Sequence, residues 1–226
     1  FEIELGTDEN NREVTLDFDK YGNLLTIGSQ FTSQIDLLNS ILVKTLATYS
    51  PEELRLIVID GVRGDVIVPN QASHLLTPVI IEPEKAISAL KWSVGEIERR
   101  SKAENQDNMP KVLILINSFN QITYFSPAEV EDNLYRLIVQ GRKYGFYFII
   151  GTDYPNPRTS KLIMANMPTK LVFKPTDKKI ARETGVPESI DLNSPNEAIL
   201  ETMYEGKKKI TISKVNSKEI YEEIFG

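Results

Sequence analysis

Cysteine is absent from the chain and histidine occurs once, at position 74. The first absence excludes disulfides and thiolate zinc sites. The second excludes a histidine-based metal site and leaves little for a histidine relay to work with. His74 stands before "LLTPV" and reads as a structural or rim residue. No apolar run approaches the roughly 20 residues needed to cross a bilayer, and no signal peptide is visible. An excess of positive charge is missing too. Lys and Arg total 26 against 32 Asp and Glu, for a net charge of -6, and the pI is near 5.1. That balance argues against broad electrostatic attachment to nucleic acid. The densest basic cluster, "GKKKIT" at 206–211, reads as a hairpin turn with a solvated face.

What is present is the material of a globular domain. The 226 residues are 41% hydrophobic and 26% charged, enough for one generous α/β unit with a real core. The whole of 1–226 is expected to form a single domain. It opens at Phe1 without a methionine, as a fragment of a longer, multi-module chain would.

Hydrophobic periodicity supplies the elements. "REVTLDF" (12–18) alternates as a half-buried strand, and "NLLTIG" (23–28) is a second strand. From Ser33 to Thr48 the apolar residues fall mostly at helical spacing, with Thr32 or Ser33 as N-cap. "RLIVID" (55–60), "KVLILIN" (111–117) and "FYFIIGT" (146–152) are continuous apolar runs of the kind that parallel strands favour. Helices are expected over 82–104, with Pro83 near the start, and over 127–144, closed by Gly145. "SKAENQDNMP" (101–110) is the least structured stretch. "TSKLIMANM" (159–167) is a short helix and "TKLVFK" (169–174) a strand. A small helix, a closing hairpin at "EAILETMY" and "KKITISKV", and a terminal helix at "SKEIYEEIF" complete the chain. Strands alternating with helices imply a mostly parallel sheet covered on both faces.

In such sheets ligands sit beyond the carboxyl ends of the strands. Four places line that edge: the Gly28 loop, Asp60, Asn117 with Ser118, and Thr152 with Asp153. Asp60 reads as a capping or loop residue. Glu96, Glu98, Arg99 and Arg100 read as a solvated helix face. "LLTIGSQFTSQIDLL" (24–38) has the outline of a phosphate-binding loop, a strand running through a glycine and a polar turn into a helix.

The stretches "SPEELRLIVID" (50–60), "HLLTPV" (74–79), "ALKWSVGEIERR" (89–100), "YGFYFIIGT" (144–152) and "MANMPTKLVF" (164–173) stand in an order and spacing that resemble the FtsK/SpoIIIE family of RecA-like ATPases, from about Ile3 to Tyr204. The resemblance implies a RecA-like P-loop fold, with ATP and Mg²⁺ as the family's cofactors. It has two branches, hexameric DNA translocases and membrane-bound type VII secretion ATPases with several modules in tandem.

The departures fall at the pocket. Set against the family's loop, the stretch Gly28, Ser29, Gln30, Phe31, Thr32, Ser33, Gln34, Ile35 keeps only the first glycine. Phe31 stands at a glycine position, where a left-handed turn costs a side-chain-bearing residue on the order of 1 kcal/mol, and its ring is expected to fill the space. Gln34 replaces the lysine that offsets phosphate charge, and Ile35 the hydroxyl that holds Mg²⁺. Asn117 and Ser118 stand in place of the acidic pair. Asp153 and Tyr154 stand where the family has polar and basic residues that sense phosphate, and an aspartate there is expected to repel a nucleotide.

The pocket is therefore expected to be vestigial, with no catalytic residue, no metal and no cofactor. The resemblance then implies a non-hydrolysing module of a type VII secretion ATPase, acting in substrate docking or regulation of export. Its partners would be neighbouring ATPase modules of the same chain, an oligomeric ring and small helical secreted proteins, on the cytoplasmic side of the cell membrane, with DNA unlikely as a ligand. The alternatives are a DNA translocase motor working through an atypical pocket, and a structural module completing a neighbour's site, with Arg182 as a residue it could offer.

Overall fold

The computed structural model describes residues 1–61, 64–104, 108–154 and 160–225. Nine strands and eight α-helices follow in the order β1 (Glu2–Thr7), β2 (Glu13–Asp17), α1 (Phe18–Tyr21), β3 (Leu24–Ile27), α2 (Gln34–Thr48), β4 (Leu54–Ile59) and α3 (Pro83–Ser101). Then come β5 (Lys111–Ile116), α4 (Phe119–Phe125), α5 (Pro127–Gln140), β6 (Phe146–Thr152), α6 (Ser160–Asn166), β7 (Thr169–Phe173), α7 (Lys178–Glu183), β8 (Glu197–Thr202), β9 (Gly206–Thr211) and α8 (Ser217–Phe225). All strands join one sheet in the order β2-β1-β9-β8-β7-β3-β6-β5-β4.

The sheet has two halves. From β7 to β4 every pairing is parallel, and from β7 outward to β2 every pairing is antiparallel. The parallel half is the apolar one in sequence because helices cover both of its faces. Alternation along the strands divides the core. Leu113 and Leu115 of β5, with Tyr147 and Ile149 of β6, face the layer of α2 and α8. Ile114, Ile116, Phe148 and Ile150 face the layer of α3, α4, α5 and α6.

The expected elements recur with small shifts at their ends. Gly145 ends the 127–144 segment at φ 78°, a left-handed conformation that glycine adopts without strain. β1, α1 and α4 are additional. The residues 105–107 of the expected loop at 101–110, and Thr159 at the start of the expected helix, lie outside the described residues.

Two surface readings change. "GKKKIT" forms β9 itself, and the chain reverses before it at 203–205. Its lysines are paired, Lys207 with Glu188 at 2.7 Å and Lys209 with Glu9 at 3.2 Å, so the cluster ties β9 to its neighbours. Arg100 is buried rather than solvated. Its Nε donates to Glu96 at 3.1 Å and its Nη1 to the Tyr144 carbonyl at 2.9 Å, with the guanidinium 4.9 Å from the Phe146 ring centroid. A buried cation needs this set of partners, and the result fastens α3 to the turn before β6. Arg99, which forms two 2.7 Å hydrogen bonds to Glu96, stays exposed as expected.

His74 is structural. Its Nε2 lies 2.6 Å from the Tyr49 carbonyl, and its own carbonyl accepts from Leu56 N–H at 2.8 Å. Residues 74–80 thus run along the outer edge of β4 and make isolated parallel bridges to it at Leu56 and Ile59. That covers a strand edge that would otherwise expose unpaired backbone groups.

Candidate functional site

The parallel strands β3, β4, β5 and β6 all end on one side of the sheet, and a cavity of about 330 Å³ opens there. Its floor is supplied by Gly28 after β3, Asn117 and Ser118 after β5, and Thr152 and Asp153 at the end of β6. Of the residues expected at the site, Gly28, Ser29, Gln30, Gln34, Ile35, Asn117, Ser118 and Asp153 line this cavity. Phe31, Thr32 and Ser33 do not.

Gly28 holds its position by close approach. A methyl group there would lie 2.6 Å from Thr32 Oγ1 and 3.0 Å from the Phe173 ring. The loop beyond it is bonded to itself and to the rest of the chain. Thr32 N–H donates to the Ser29 carbonyl at 3.0 Å, Ser33 N–H to the Pro195 carbonyl at 2.8 Å, and Phe31 N–H to Ser29 Oγ at 3.4 Å. In a phosphate-binding loop these N–H groups would face the anion; here three consecutive ones have partners within the protein.

Phe31 departs from expectation. Its ring is 76% exposed and points away from the cavity it was expected to fill. Among the described residues the side-chain-bearing positions with positive φ are Asn11 and Ser118, not Phe31. The loop passes Phe31 without a positive φ, and the ring stands in solvent.

Gln34, at the first turn of α2, turns inward. Its Nε2 lies 3.0 Å from the Thr26 carbonyl, 2.9 Å from Thr26 Oγ1 and 3.1 Å from the Thr152 carbonyl, and the residue is buried. The amide thus joins the start of α2 to the ends of β3 and β6. Ser33 takes the N-cap position without a side-chain capping bond, and Asp36 supplies a negative charge in the first turn, which opposes the helix dipole.

Beneath the cavity, Asn117 Nδ2 donates to Asp60 Oδ1 at 2.7 Å, and Val66 N–H donates to Asp60 Oδ2 at 2.9 Å. Asp60 is fully buried. Burial raises its pKa above the ordinary carboxylate value, against the lowering effect of those two donors. Asp60 is therefore a buried bracket between the ends of β4 and β5, a role that its reading as a capping or loop residue did not include. Ser118 sits at φ 57°, ψ 46°, in the left-handed region where side-chain-bearing residues are uncommon. It turns the chain sharply from β5 into α4.

Asn120 Nδ2 donates to Asp153 Oδ1 at 2.9 Å and to the Tyr154 carbonyl at 3.1 Å. Its own Oδ1 is shielded from solvent without a hydrogen-bond partner among the described residues. Asp65, Asn120, Gln121, Tyr124 and Phe125 also line the cavity. Sequence reasoning missed all five. The last four follow directly on Asn117 and Ser118, so adjacency to the strand end could have found them; Asp65 lies in a loop with no periodic signal. Among the described residues the lining holds two carboxylates, Asp65 and Asp153, and no lysine or arginine. Arg182 is exposed on α7, as a surface arginine would be.

Comparison with known proteins agrees with this architecture. The model of the FtsK/SpoIIIE family matches residues 1–109. The DNA translocase FtsK of Caldanaerobacter subterraneus is 30% identical over 187 residues, covering 76% of this chain and 26% of that protein. This chain spans about a quarter of the curated relatives it matches, 26%, 25% and 23% of the first three. Two solved structures share the fold at lower identity. The cytoplasmic domain of the Thermomonospora curvata type VII secretion ATPase EccC superposes with a TM-score of 0.76 at 17% identity, over 95% of this chain and 28% of that one. EssC (ATPases 2 and 3) from Geobacillus thermodenitrificans superposes at 0.77 and 17%, over 99% and 47%.

Proposed function

We propose that this FtsK/SpoIIIE-type module, related to both DNA translocases and type VII secretion ATPases, keeps the fold of its family without ATP hydrolysis and works as a docking or regulatory unit beside active modules. One observation carries the reading. The loop N–H groups of Phe31, Thr32 and Ser33, and the side-chain amide of Gln34, all have acceptors inside the protein.

A triphosphate brings about four negative charges that need N–H donors, a cation and a metal. The described lining offers no lysine or arginine and adds the carboxylates of Asp65 and Asp153. Ile35, with no oxygen to give a magnesium ion, faces the cavity. Asn117 spends its amide on Asp60, and Ser118 has no carboxylate with which to orient water.

The setting we propose is a type VII secretion chain. A pocket without chemistry disables every subunit of a ring built from one motor, whereas in a chain with several ATPase modules the neighbours can retain the chemistry. EssC (ATPases 2 and 3) and the EccC cytoplasmic domain share this fold, which supports the setting. Neighbouring modules of the same chain, small helical export substrates and a position at the cytoplasmic face of the membrane follow from it. Among the described residues no helix is long and apolar enough to cross a membrane.

A second reading, a DNA translocase motor, is favoured by the 30% identity to FtsK. The experiment that separates them exports a reporter substrate from cells in which this module is deleted or intact, and measures DNA-stimulated phosphate release by the purified chain. Lost export with no phosphate release supports the docking module. Normal export with DNA-stimulated release supports the translocase.

A further inference from the structure

The two edges of the sheet are finished differently. Residues 74–80 cover the β4 edge, whereas β2, at the other end of the strand order, pairs with β1 alone. Antiparallel pairing turns the backbone of every second residue outward. Phe18 N–H donates to the Phe1 carbonyl at 2.8 Å, and Leu16 lies opposite Ile3, so Leu16 and Phe18 are the positions bonded to β1. The N–H and C=O groups of Thr15 and Asp17 therefore point out of the sheet, where no strand among the described residues meets them.

That edge is one wall of a crevice of about 350 Å³, with Leu200, Thr202 and Lys208 of the β8–β9 hairpin across it. On the outer face of the β1–β2 pair a groove of about 280 Å³ runs between Glu2, Glu4, Glu13 and the last turns of α2. The side chains of β2 alternate accordingly. Val14 and Leu16 belong to the core, while Glu13 and Thr15 are exposed. Glu2 stands opposite Asp17, and Glu4 opposite Thr15. Glu4 is paired with Lys44 at 2.6 Å. Glu2 and Glu13, which border both hollows, have no ion-pair partner among the described residues.

Charge decides which strand fits this edge. A second copy pairing through its own β2 about Thr15 would set Glu13 against Asp17, and like charges directly opposite destabilise a ladder. Every pairing in this half of the sheet is antiparallel. A strand added in the same sense places alternate side chains beside Glu13, Thr15 and Asp17, and the rest in the crevice near Leu16 and Leu200. Cations match the first set of positions and apolar side chains the second.

We propose that the β2 edge is a docking site for an extended segment of a protein partner in which basic and apolar residues alternate. The segment adds as a further strand. Its backbone takes up the outward groups of Thr15 and Asp17, its cations meet Glu2 and Glu13, and its apolar residues enter the crevice against Leu200. This edge shares no lining residue with the cavity at the ends of the parallel strands, so the site stands whether or not that cavity takes nucleotide.

The test is a titration of the ¹⁵N-labelled 226-residue chain with the blocked pentapeptide acetyl-Lys-Val-Lys-Val-Lys-amide. Two controls run beside it, acetyl-Glu-Val-Glu-Val-Glu-amide and the lysine peptide N-methylated at its three lysines, which removes the ladder donors. The lysine peptide should shift the amides of Thr15 and Asp17 and bind about fivefold or more tightly than either control. Glu2→Lys and Glu13→Lys, both at exposed positions, should each weaken it severalfold, and the double variant should abolish the preference over the glutamate peptide. Equal binding of the glutamate or the N-methylated peptide, shifts confined to other strands, or no response would overturn the site. Shifts at Thr15 and Asp17 that depend on dilution of the chain alone would overturn it in favour of pairing between copies.

Discussion

The side-chain amide of Gln34 lies 3.1 Å from the main-chain carbonyl of Thr152, so the residue at the start of α2 reaches across to the end of a neighbouring strand. Where a phosphate-binding loop would hold a cation toward its ligand, this one has a structural clamp. The clamp joins the start of α2 to the ends of β3 and β6.

The clamp has a measurable strength. Gln34→Ala leaves the buried Thr26 Oγ1 and two strand-end carbonyls without that donor, which costs about 1–3 kcal/mol. Chemical denaturation should show a lower midpoint with an unchanged slope, and no change in the response to ATP.

Restoring an acid at the end of β5 should harm the protein. In Asn117→Asp a carboxylate replaces the amide that donates to Asp60 at 2.7 Å, and two carboxylates then share a buried site. One of them is forced to hold a proton, so its folded-state pKa rises further. Stability is then present at low pH and lost as pH rises through that raised value. We expect a loss of about 3 kcal/mol at pH 7, shrinking toward pH 4, in denaturation curves taken across that range.

Ser118 carries strain. At φ 57° it occupies a region that suits glycine, and Ser118→Gly should stabilise the protein by about 0.5–1 kcal/mol. A thermal midpoint that rises with the fold unchanged checks this; a midpoint that falls would mean that the serine side chain makes a contribution larger than the strain.

Glu96 gives an acid-sensitive contribution. Hydrogen bonds from Arg99, then Arg100, hold its pKa below the ordinary value of 4.5. A depressed carboxylate stabilises the folded state above its unfolded pKa, and that stabilisation is lost as pH falls through the folded value. Glu96→Gln should therefore cost about 1 kcal/mol near neutrality, with the two proteins converging below pH 4.

Much of this fold is legible in the sequence. Lys111–Ile116 and Phe146–Thr152 are continuous apolar runs because helices bury both faces of those strands. That Gln34, Ile35 and Asn117 bring no lysine, hydroxyl or carboxylate is legible as well, being a matter of residue type. Direction is not. Nothing in the order of residues says that Gln34 turns inward or that Phe31 turns out, because both depend on partners such as Thr152 and Pro195, far away in the chain. α4 was hidden for a related reason. "FNQITYF" buries Phe119 and Ile122 but exposes Tyr124 and Phe125, so its apolar residues do not form one stripe. Arg100 was misjudged because a charged pair at helical spacing reads as solvated until the turn packed on it is seen.

The most direct test is calorimetric titration of the purified chain with ATP in the presence of Mg²⁺ at millimolar concentration, read alongside the thermal midpoint. A ligand present at 100 times its Kd would stabilise the folded state by about 2.7 kcal/mol. With donors turned inward and carboxylates at the opening, neither binding heat nor a shift in midpoint is expected. A saturable heat at micromolar ATP, matched by a rise of several degrees, would contradict the account.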